Sequence, residues 1–117
     1  TLSHWTRDRT RGDKIELKDA VHFMTEVPAQ YMGFSDRGVL KEGAKADINV
    51  IAHDKLCLEH PVMLKDLPGG GQRLMQRARG YRATIVSGEI VVENDQLTNA
   101  RPGRLVRLNE LSSAARI

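Results

Sequence analysis

The sequence predicts an α+β chain in which short helices come first and a small antiparallel β-domain follows. Residues 14–26 carry apolar side chains near the 3.6-residue period of an amphipathic helix. Tyr81–Val86 and residues 89–92 are rich in β-branched residues and stand two residues apart, which is the clearest hairpin pattern in the chain. Between these regions, the pattern of residues 36–51 predicts two turns and then a strand.

Length and charge exclude several classes of protein. A chain of 117 residues suits one domain with a modest core and is too short for a complete (β/α)₈ barrel, which needs about 200 residues. The net charge of +3 and the aromatic content of 4% are too low for a nucleic-acid surface. Arginine outnumbers lysine twelve to six, which favours fixed ion pairs over a loose cationic face.

Cysteine usage and hydropathy indicate which cellular compartment suits the chain. Cys57 is the only cysteine, so the chain has no internal disulfide framework and suits a reducing environment. No apolar run approaches the eighteen or so residues of a membrane span, and no secretory signal pattern opens the chain. We therefore expect a cytoplasmic protein with no membrane partner.

The first third of the chain is predicted to be helical after a polar start. Residues 1–12 are basic and polar and are predicted to form a loop or the end of a barrel connection. A solvated charge run and a basic lip over an active site for an anionic substrate are both open. The first helix covers residues 14–26 and is interrupted at Val27-Pro28. A second helix covers residues 28–32, with Gly33 as its C′ residue.

The remaining chain is predicted to consist mostly of short strands and turns. Ile48–Ile51 is a buried strand, and His53–Lys55 is a turn. Two extended pieces follow, one with Leu56 and Leu58 and one with Val62 and Leu64, broken at Pro61. After a glycine-rich turn at residues 68–71, residues 73–79 are predicted to form one or two helical turns, residues 105–106 a last strand, and residues 108–117 a tail.

The sequence offers no closed catalytic or metal-binding set. The four histidines are His4, His22, His53 and His60, and no two have the spacing of a metal-ligand pair. The nearest group is His53 with Cys57 and His60, which does not close a site on an extended chain. Cys57 lies between two leucines, which favours a buried inert thiol, and His22 is interpreted as structural. No catalytic or metal-binding residue is therefore assigned.

Three stretches together carry a resemblance to a known family. They are LSHWTRDRTRG near the start, DRGVLKEGAKADINVI in the middle, and DLPGGGQRLMQRARGYRATIVSGEIVVEN followed by ARPGRLVR. In this order they resemble the carboxy-terminal portion of the N-acyl-D-amino-acid deacylases, or D-aminoacylases, of the amidohydrolase superfamily. The resemblance covers residues 2–107. The chain departs from the family at Asn94, Asp95 and Asn99, where the family usually or often has glycine in a turn.

The resemblance implies an enzyme whose active site lies elsewhere. Its members are zinc-dependent hydrolases that release a D-amino acid and a carboxylate from an N-acyl-D-amino acid. Their metal ligands and catalytic aspartate precede the part that this chain resembles. The resemblance thus implies zinc in a parent enzyme and none in this chain. The resemblance also implies that His4, Arg7 and Arg9 lie near the barrel mouth and bind the small-molecule substrate.

The resemblance also implies a division of the chain. Residues 1–35 would be the last helices of a TIM-like barrel, residues 36–107 a carboxy-terminal partial β-sandwich, and residues 108–117 a tail. The alternative hypothesis is a free-standing binding or assembly module without catalysis. Because the partner strands of the intact family are missing, Ile48–Ile51 or Tyr81–Val86 is expected to present an open edge, and the helices an apolar stripe. A homo-oligomer is therefore expected.

Overall fold

The order of helices and strands confirms the α+β prediction. The structure is a computed structural model, and it describes residues 1–107. The two α-helices are α1 (Leu17–Met24) and α2 (Glu26–Tyr31). The strands of the described region are β1 (Ile48–Ile51), β2 (Cys57–Leu58), β3 (Val62–Leu64), β4 (Arg73–Met75), β5 (Ala78–Arg79), β6 (Tyr81–Val86), β7 (Glu89–Glu93) and β8 (Gln96–Leu97).

The amino-terminal segment is helical, so the prediction of a loop over residues 1–12 was wrong for its first part. His4–Asp8 form a π-helical turn, closed by a hydrogen bond of 2.9 Å from the backbone N–H of Arg9 to the carbonyl oxygen of His4. The chain then doubles back, and the N–H of Ile15 donates to the carbonyl of Trp5 at 3.0 Å. These bonds satisfy backbone groups that a charged sequence would otherwise leave to water.

The break between the helices lies at Thr25, two residues before the predicted break at Val27-Pro28. The hydroxyl of Thr25 donates to the carbonyl oxygen of Val21 at 2.8 Å, a local bond that competes with the helical ladder. Pro28 then falls inside the first turn of α2, where its missing N–H has no helical partner to lose. Proline therefore does not end a helix here.

The end of α2 agrees with the prediction for Gly33. Gly33 has a φ of 76°, the left-handed conformation expected of a C′ residue. Its N–H donates to Gln30 at 3.0 Å, and the N–H of Phe34 donates to Ala29 at 2.8 Å. These two bonds form a Schellman motif and satisfy carbonyls at the helix end.

The largest sheet is a four-stranded antiparallel sheet in the order β1-β6-β7-β8. β1 pairs with β6 with Ile48 opposite Ile85, and a register shift follows between Val50 and Ile51. Of the two strands expected to present an open edge, β1 does so, since it pairs only with β6 within residues 1–107. β6 lies between β1 and β7, so the open edge falls on the first of the two candidate strands.

Two tight turns build the β6-β7-β8 meander. Ser87 and Gly88 have φ values of 52° and 85°, so both central residues are left-handed as a type I′ hairpin requires. The sequence prediction of a tight turn with Gly88 at positive φ is thereby confirmed. Asn94 and Asp95, with φ values of 48° and 64°, form a second such turn that leads into β8. Asparagine and aspartate tolerate this conformation better than most residues.

A long two-stranded arm projects from this sheet. β2 pairs with β5 and β3 pairs with β4, so that residues 57–64 run antiparallel to residues 73–79. The prediction of helical turns over residues 73–79 was therefore wrong. The local helical propensity of this stretch is overridden, because residues 57–64 offer it a ladder of backbone hydrogen bonds. The extended pieces on either side of Pro61 are confirmed.

Two further expectations concern the end of the chain. Residues 105–106 are not a strand, because a strand needs a hydrogen-bonded neighbour and none of the described strands pairs with them. The predicted tail at residues 108–117 lies outside the described residues. Within residues 1–107 the strands form one sheet and one arm, so the second full layer of a β-sandwich is not formed.

Packing is loose for a chain of this size. The hydrophobic residues that are buried in the described region are Ala20 on α1, Ala29 on α2 and Leu56 before β2. Among residues 1–107, no helix is long and apolar enough to cross a membrane.

Candidate functional site

The amino-terminal turn groups an aromatic ring with two of the three predicted substrate-binding residues. The guanidinium of Arg9 lies over the ring of Trp5, with its Cζ 4.6 Å from the ring centroid. The ring of His4 meets the Trp5 ring edge-on, at a centroid distance of 5.3 Å. The π-helical turn thus brings His4 and Arg9 to the same indole.

Arg7, the third predicted residue, is engaged with the protein itself. Its Nη1 donates to the carbonyl oxygen of His53, and its Nη2 donates to the carbonyl oxygen of Leu56 at 2.6 Å. Its Nε donates to a carboxylate oxygen of Asp8 at 2.6 Å. The planar fork of arginine suits this arrangement, because its donors are held in fixed directions. Arg7 therefore fastens the amino-terminal turn to the start of the arm.

A second bond joins the same two segments. The hydroxyl of Thr6 donates to the carbonyl oxygen of Leu2 at 2.9 Å, and its oxygen lies 2.8 Å from Nε2 of His53. Since the only hydroxyl proton is given to Leu2, the oxygen of Thr6 accepts from His53. This assignment places a proton on Nε2 of His53.

The pair of Arg7 and Asp8 is electrostatically matched. The hydrogen bond from Arg7 is the main cause that lowers the pKa of Asp8 from its ordinary value. The same bond raises the pKa of Arg7. Asp8 is therefore a carboxylate at neutral pH, and it is not suited to serve as a general acid there.

An apolar groove lies beside this cluster. It has a volume of about 260 Å³ and is open to solvent on one side. Its walls come from the amino-terminal turn and from α1, and they include Trp5, Ile15, Phe23 and Met24. Trp5, which forms part of the groove wall, also carries the guanidinium of Arg9 over its ring, so a positive charge lies near the groove.

No three histidine, cysteine, aspartate or glutamate side chains within residues 1–107 lie close enough together to hold a metal ion. The donor set of this part of the chain does not fit a zinc site, which needs about four converging ligands. His53 instead bonds Thr6, and His22 lies 3.1 Å from a carboxylate oxygen of Glu26.

The expectation that Cys57 is buried was wrong. Cys57 is exposed on β2, opposite Arg79 of β5. Leu56, directly before it, is the residue that points inward. Successive side chains point to opposite faces of a strand, so Cys57 lies on the face opposite Leu56. The arm has no second layer to cover that face, and Cys57 is therefore exposed.

A second polar cluster braces the large sheet. Asp36 accepts from Nε and Nη2 of Arg37 at 2.8 and 2.9 Å, and Arg37 also lies 3.5 Å from a carboxylate oxygen of Asp47. Asp47 accepts a bond of 2.8 Å from the backbone N–H of Ser87, at the tip of the β6–β7 hairpin. The hydrogen bond from Arg37 is the main cause of the lowered pKa of Asp36. The contacts of this cluster join segments of the chain to one another, so we interpret it as structural.

Sequence reasoning missed the partners of Arg7. Asp8, His53 and Leu56 were not predicted to contact Arg7, and Thr6 was not predicted to contact His53. The adjacency of Arg7 and Asp8 was a usable signal for an ion pair. The contact of Arg7 with His53 spans 46 positions in the chain and leaves no local pattern.

Comparison with known proteins identifies the class of protein. Residues 1–92 match the Amidohydrolase family, which is well over half of the 117 residues. The chain belongs to the Amidohydrolase family. No curated protein and no solved structure matches it significantly. The matched range includes the amino-terminal turn, both helices and β1, so membership extends to both the helical and the strand part.

Proposed function

We propose that this chain is the carboxy-terminal portion of a zinc-dependent amidohydrolase that hydrolyses N-acyl-D-amino acids to D-amino acids and carboxylates. The observation that supports the proposal is the family match over residues 1–92. The finer choice of substrate rests on the resemblance of LSHWTRDRTRG and the arm sequence to the D-aminoacylases. In this proposal residues 1–35 are the last helices of the barrel and residues 36–107 the carboxy-terminal β-domain.

Three residues have distinct roles in this proposal. Arg9 forms no ion pair with a carboxylate within residues 1–107, so its charge is available to the carboxylate that the substrate carries. His4 lies on the same indole and offers a polar contact beside it. Arg7 contributes by holding the turn in place through His53 and Leu56.

The proposed chemistry of the chain is therefore confined to binding. Zinc belongs to the parent enzyme, where it would polarise the amide carbonyl and activate water. The residues of this chain would position the substrate carboxylate and close one side of the site. A cytoplasmic location suits the single reduced cysteine and stays part of the proposal.

The coding sequence upstream of Thr1 is the first test. We expect an in-frame barrel sequence with a His-x-His motif. If the reading frame instead begins at Thr1, the parent-enzyme proposal fails and a free-standing binding or assembly module takes its place.

The second test is enzymatic. The longer polypeptide should release free amine from N-acetyl-D-amino acids and leave the matched L-enantiomers unchanged. The 117-residue chain alone, washed with chelator and resupplied with zinc, should show neither turnover nor one equivalent of tightly held metal. Turnover by the chain alone, or equal use of both enantiomers by the longer protein, would contradict the proposal.

A further inference from the structure

His53 contacts the amino-terminal turn through both its side chain and its backbone. Its ring Nε2 donates to the hydroxyl oxygen of Thr6 at 2.8 Å, and its carbonyl oxygen accepts from Nη1 of Arg7. Nη2 of Arg7 also donates to the carbonyl oxygen of Leu56 at 2.6 Å. The bonded residues lie 46 to 49 positions apart in the chain. These bonds connect the proposed barrel helices to the proposed β-domain.

The segment that carries His53 is fixed to the large sheet. His53–Lys55 form a 3₁₀ turn, and the N–H of Ala52, directly before it, donates to the carbonyl oxygen of Gly80 at 2.8 Å. Leu56, directly after the turn, is buried, and a Cβ at Gly80 would lie only 2.8 Å from its Cα. Gly80 immediately precedes β6. His53 therefore projects from a backbone that is held on both sides.

Thr6 links the ring of His53 closely to the backbone of the turn. Its hydroxyl donates to the carbonyl oxygen of Leu2 at 2.9 Å, four residues earlier, so its side chain is held against its own helical turn. A single torsion angle, χ1, separates its Oγ1 from the backbone. Arg7 reaches its acceptors through a long side chain with many rotamers. A small shift of the turn would therefore stretch the bond between Thr6 and His53 before the contacts of Arg7 had to break.

The guanidinium of Arg9 is held by neighbours within the same segment. It lies over the ring of Trp5, with Cζ 4.6 Å from the ring centroid, and its Nε donates to the carbonyl oxygen of Arg11. Gly12 leaves the room that this requires, because a Cβ there would lie 2.7 Å from Nη2 of Arg9. Arg9 and the turn thus form one unit. The position of the guanidinium relative to the β-domain depends on how the turn is held against the start of the arm.

We propose that His53 is a positioning residue for the substrate carboxylate: its Nε2–H holds Thr6 and thereby sets the position of the Arg9 guanidinium. This role rests on the proposed function, in which Arg9 binds that carboxylate. His53 acts through the turn and takes no part in the chemical step. Because the carboxylate carries the same charge in the substrate and in the transition state, loss of the bond should raise KM more than it lowers kcat.

Steady-state kinetics of the longer polypeptide test this role with His53→Leu, which removes the ring donor and keeps the backbone carbonyl that Arg7 uses. KM for an N-acetyl-D-amino acid should rise about tenfold, with kcat within about twofold. The carboxamide of the same substrate offers Arg9 no charge, so its kcat/KM should stay unchanged. His53→Gln should restore the KM, because the amide Nε2 can donate in place of the imidazole Nε2. The control is His60→Leu, the same change at an exposed histidine of the arm, and it should affect neither substrate.

Two further measurements separate this bond from a general loss of structure. Thr6→Val removes the acceptor of the same bond, so the double variant with His53→Leu should have no higher KM than either single variant. Amide hydrogen exchange of residues 1–12 in the longer polypeptide, followed by mass spectrometry, should be faster in His53→Leu and unchanged in His60→Leu.

The outcomes distinguish this role from the proposed function. An unchanged KM in His53→Leu, an equal loss for the acid and its carboxamide, or unchanged exchange of residues 1–12 would overturn the positioning role alone. A longer polypeptide that hydrolyses no N-acyl-D-amino acid would overturn the proposed function and the positioning role with it.

Discussion

At the scale of single residues, Gly80 and Gly88 share a backbone conformation but differ in the space around them. Gly80 and Gly88 have φ values of 106° and 85°, so both adopt a conformation that other residues adopt only at a cost. A Cβ at Gly80 would lie 2.8 Å from the Cα of Leu56, whereas at Gly88 nothing lies within 4 Å. Gly80 is therefore where the arm crosses the start of β6 at close range.

We predict that Gly80→Ala is more damaging than Gly88→Ala. The change at Gly88 should cost about 1 kcal/mol through backbone strain alone. The change at Gly80 should cost about 2–4 kcal/mol, because the backbone of Leu56 must also move. Urea midpoints of the two variants decide the matter. Equal losses would mean that Gly80 and Leu56 are not in contact in solution.

The Asp36–Arg37 pair gives a prediction for pH. Since the folded pKa of Asp36 is lowered, its contribution to stability is present above the unfolded pKa and is lost as pH falls through the folded pKa. The free energy of unfolding should therefore fall between about pH 5 and pH 2. Asp36→Asn should flatten this fall, while Glu42→Gln in the same loop should leave it unchanged. Parallel pH profiles for all three proteins would contradict the role of Asp36.

At the scale of elements, the β6–β7 hairpin is specified by its two turn residues. Both stand at positive φ, and the type I′ turn that this creates prefers asparagine before glycine. Ser87 donates its N–H to Asp47, a backbone bond that a substitution would keep. A substitution at Ser87 can therefore stabilise the hairpin without removing the hydrogen bond to Asp47.

We predict that Ser87→Asn stabilises the chain by about 0.5–1 kcal/mol, because asparagine tolerates the left-handed conformation better than serine. Ser87→Val serves as the opposite control and should destabilise it, since a β-branched residue is strained at positive φ. Thermal or urea unfolding measures both. Stabilisation by valine would show that the turn lies elsewhere in solution.

At the scale of the whole molecule, the small buried core sets the response to denaturant. Within residues 1–107 the buried hydrophobic residues are Ala20, Ala29 and Leu56, so folding removes less apolar surface from water than the folding of a compact domain does. Because the urea m-value follows the area that unfolding exposes, a dilute sample should show a smaller m-value than a compact domain of equal length. A full m-value in a monomeric sample would mean that the chain is more compact in solution.

The sequence by itself determined the parts that rest on local signals. The 3.6-residue period predicted the first helix, Gly33 predicted the end of the second, and Ser87-Gly88 predicted the hairpin. Each depends on residues within a few positions of one another, where backbone geometry and capping decide the outcome. The three predicted substrate-binding residues were also grouped by sequence, and the π-helical turn keeps them close together.

Only the tertiary structure decided the arm and the contacts of Arg7. Residues 73–79 have a local preference for helix, and they form strands because residues 57–64 supply hydrogen-bond partners. Arg7 is a charged residue in a basic run. It holds the amino-terminal turn against the start of the arm, because the carbonyl oxygens of His53 and Leu56 lie within hydrogen-bond distance of its guanidinium. In both cases the partner is distant in sequence. The free energy of such a pairing depends on chain closure and on the geometry of the folded state, which no local pattern encodes.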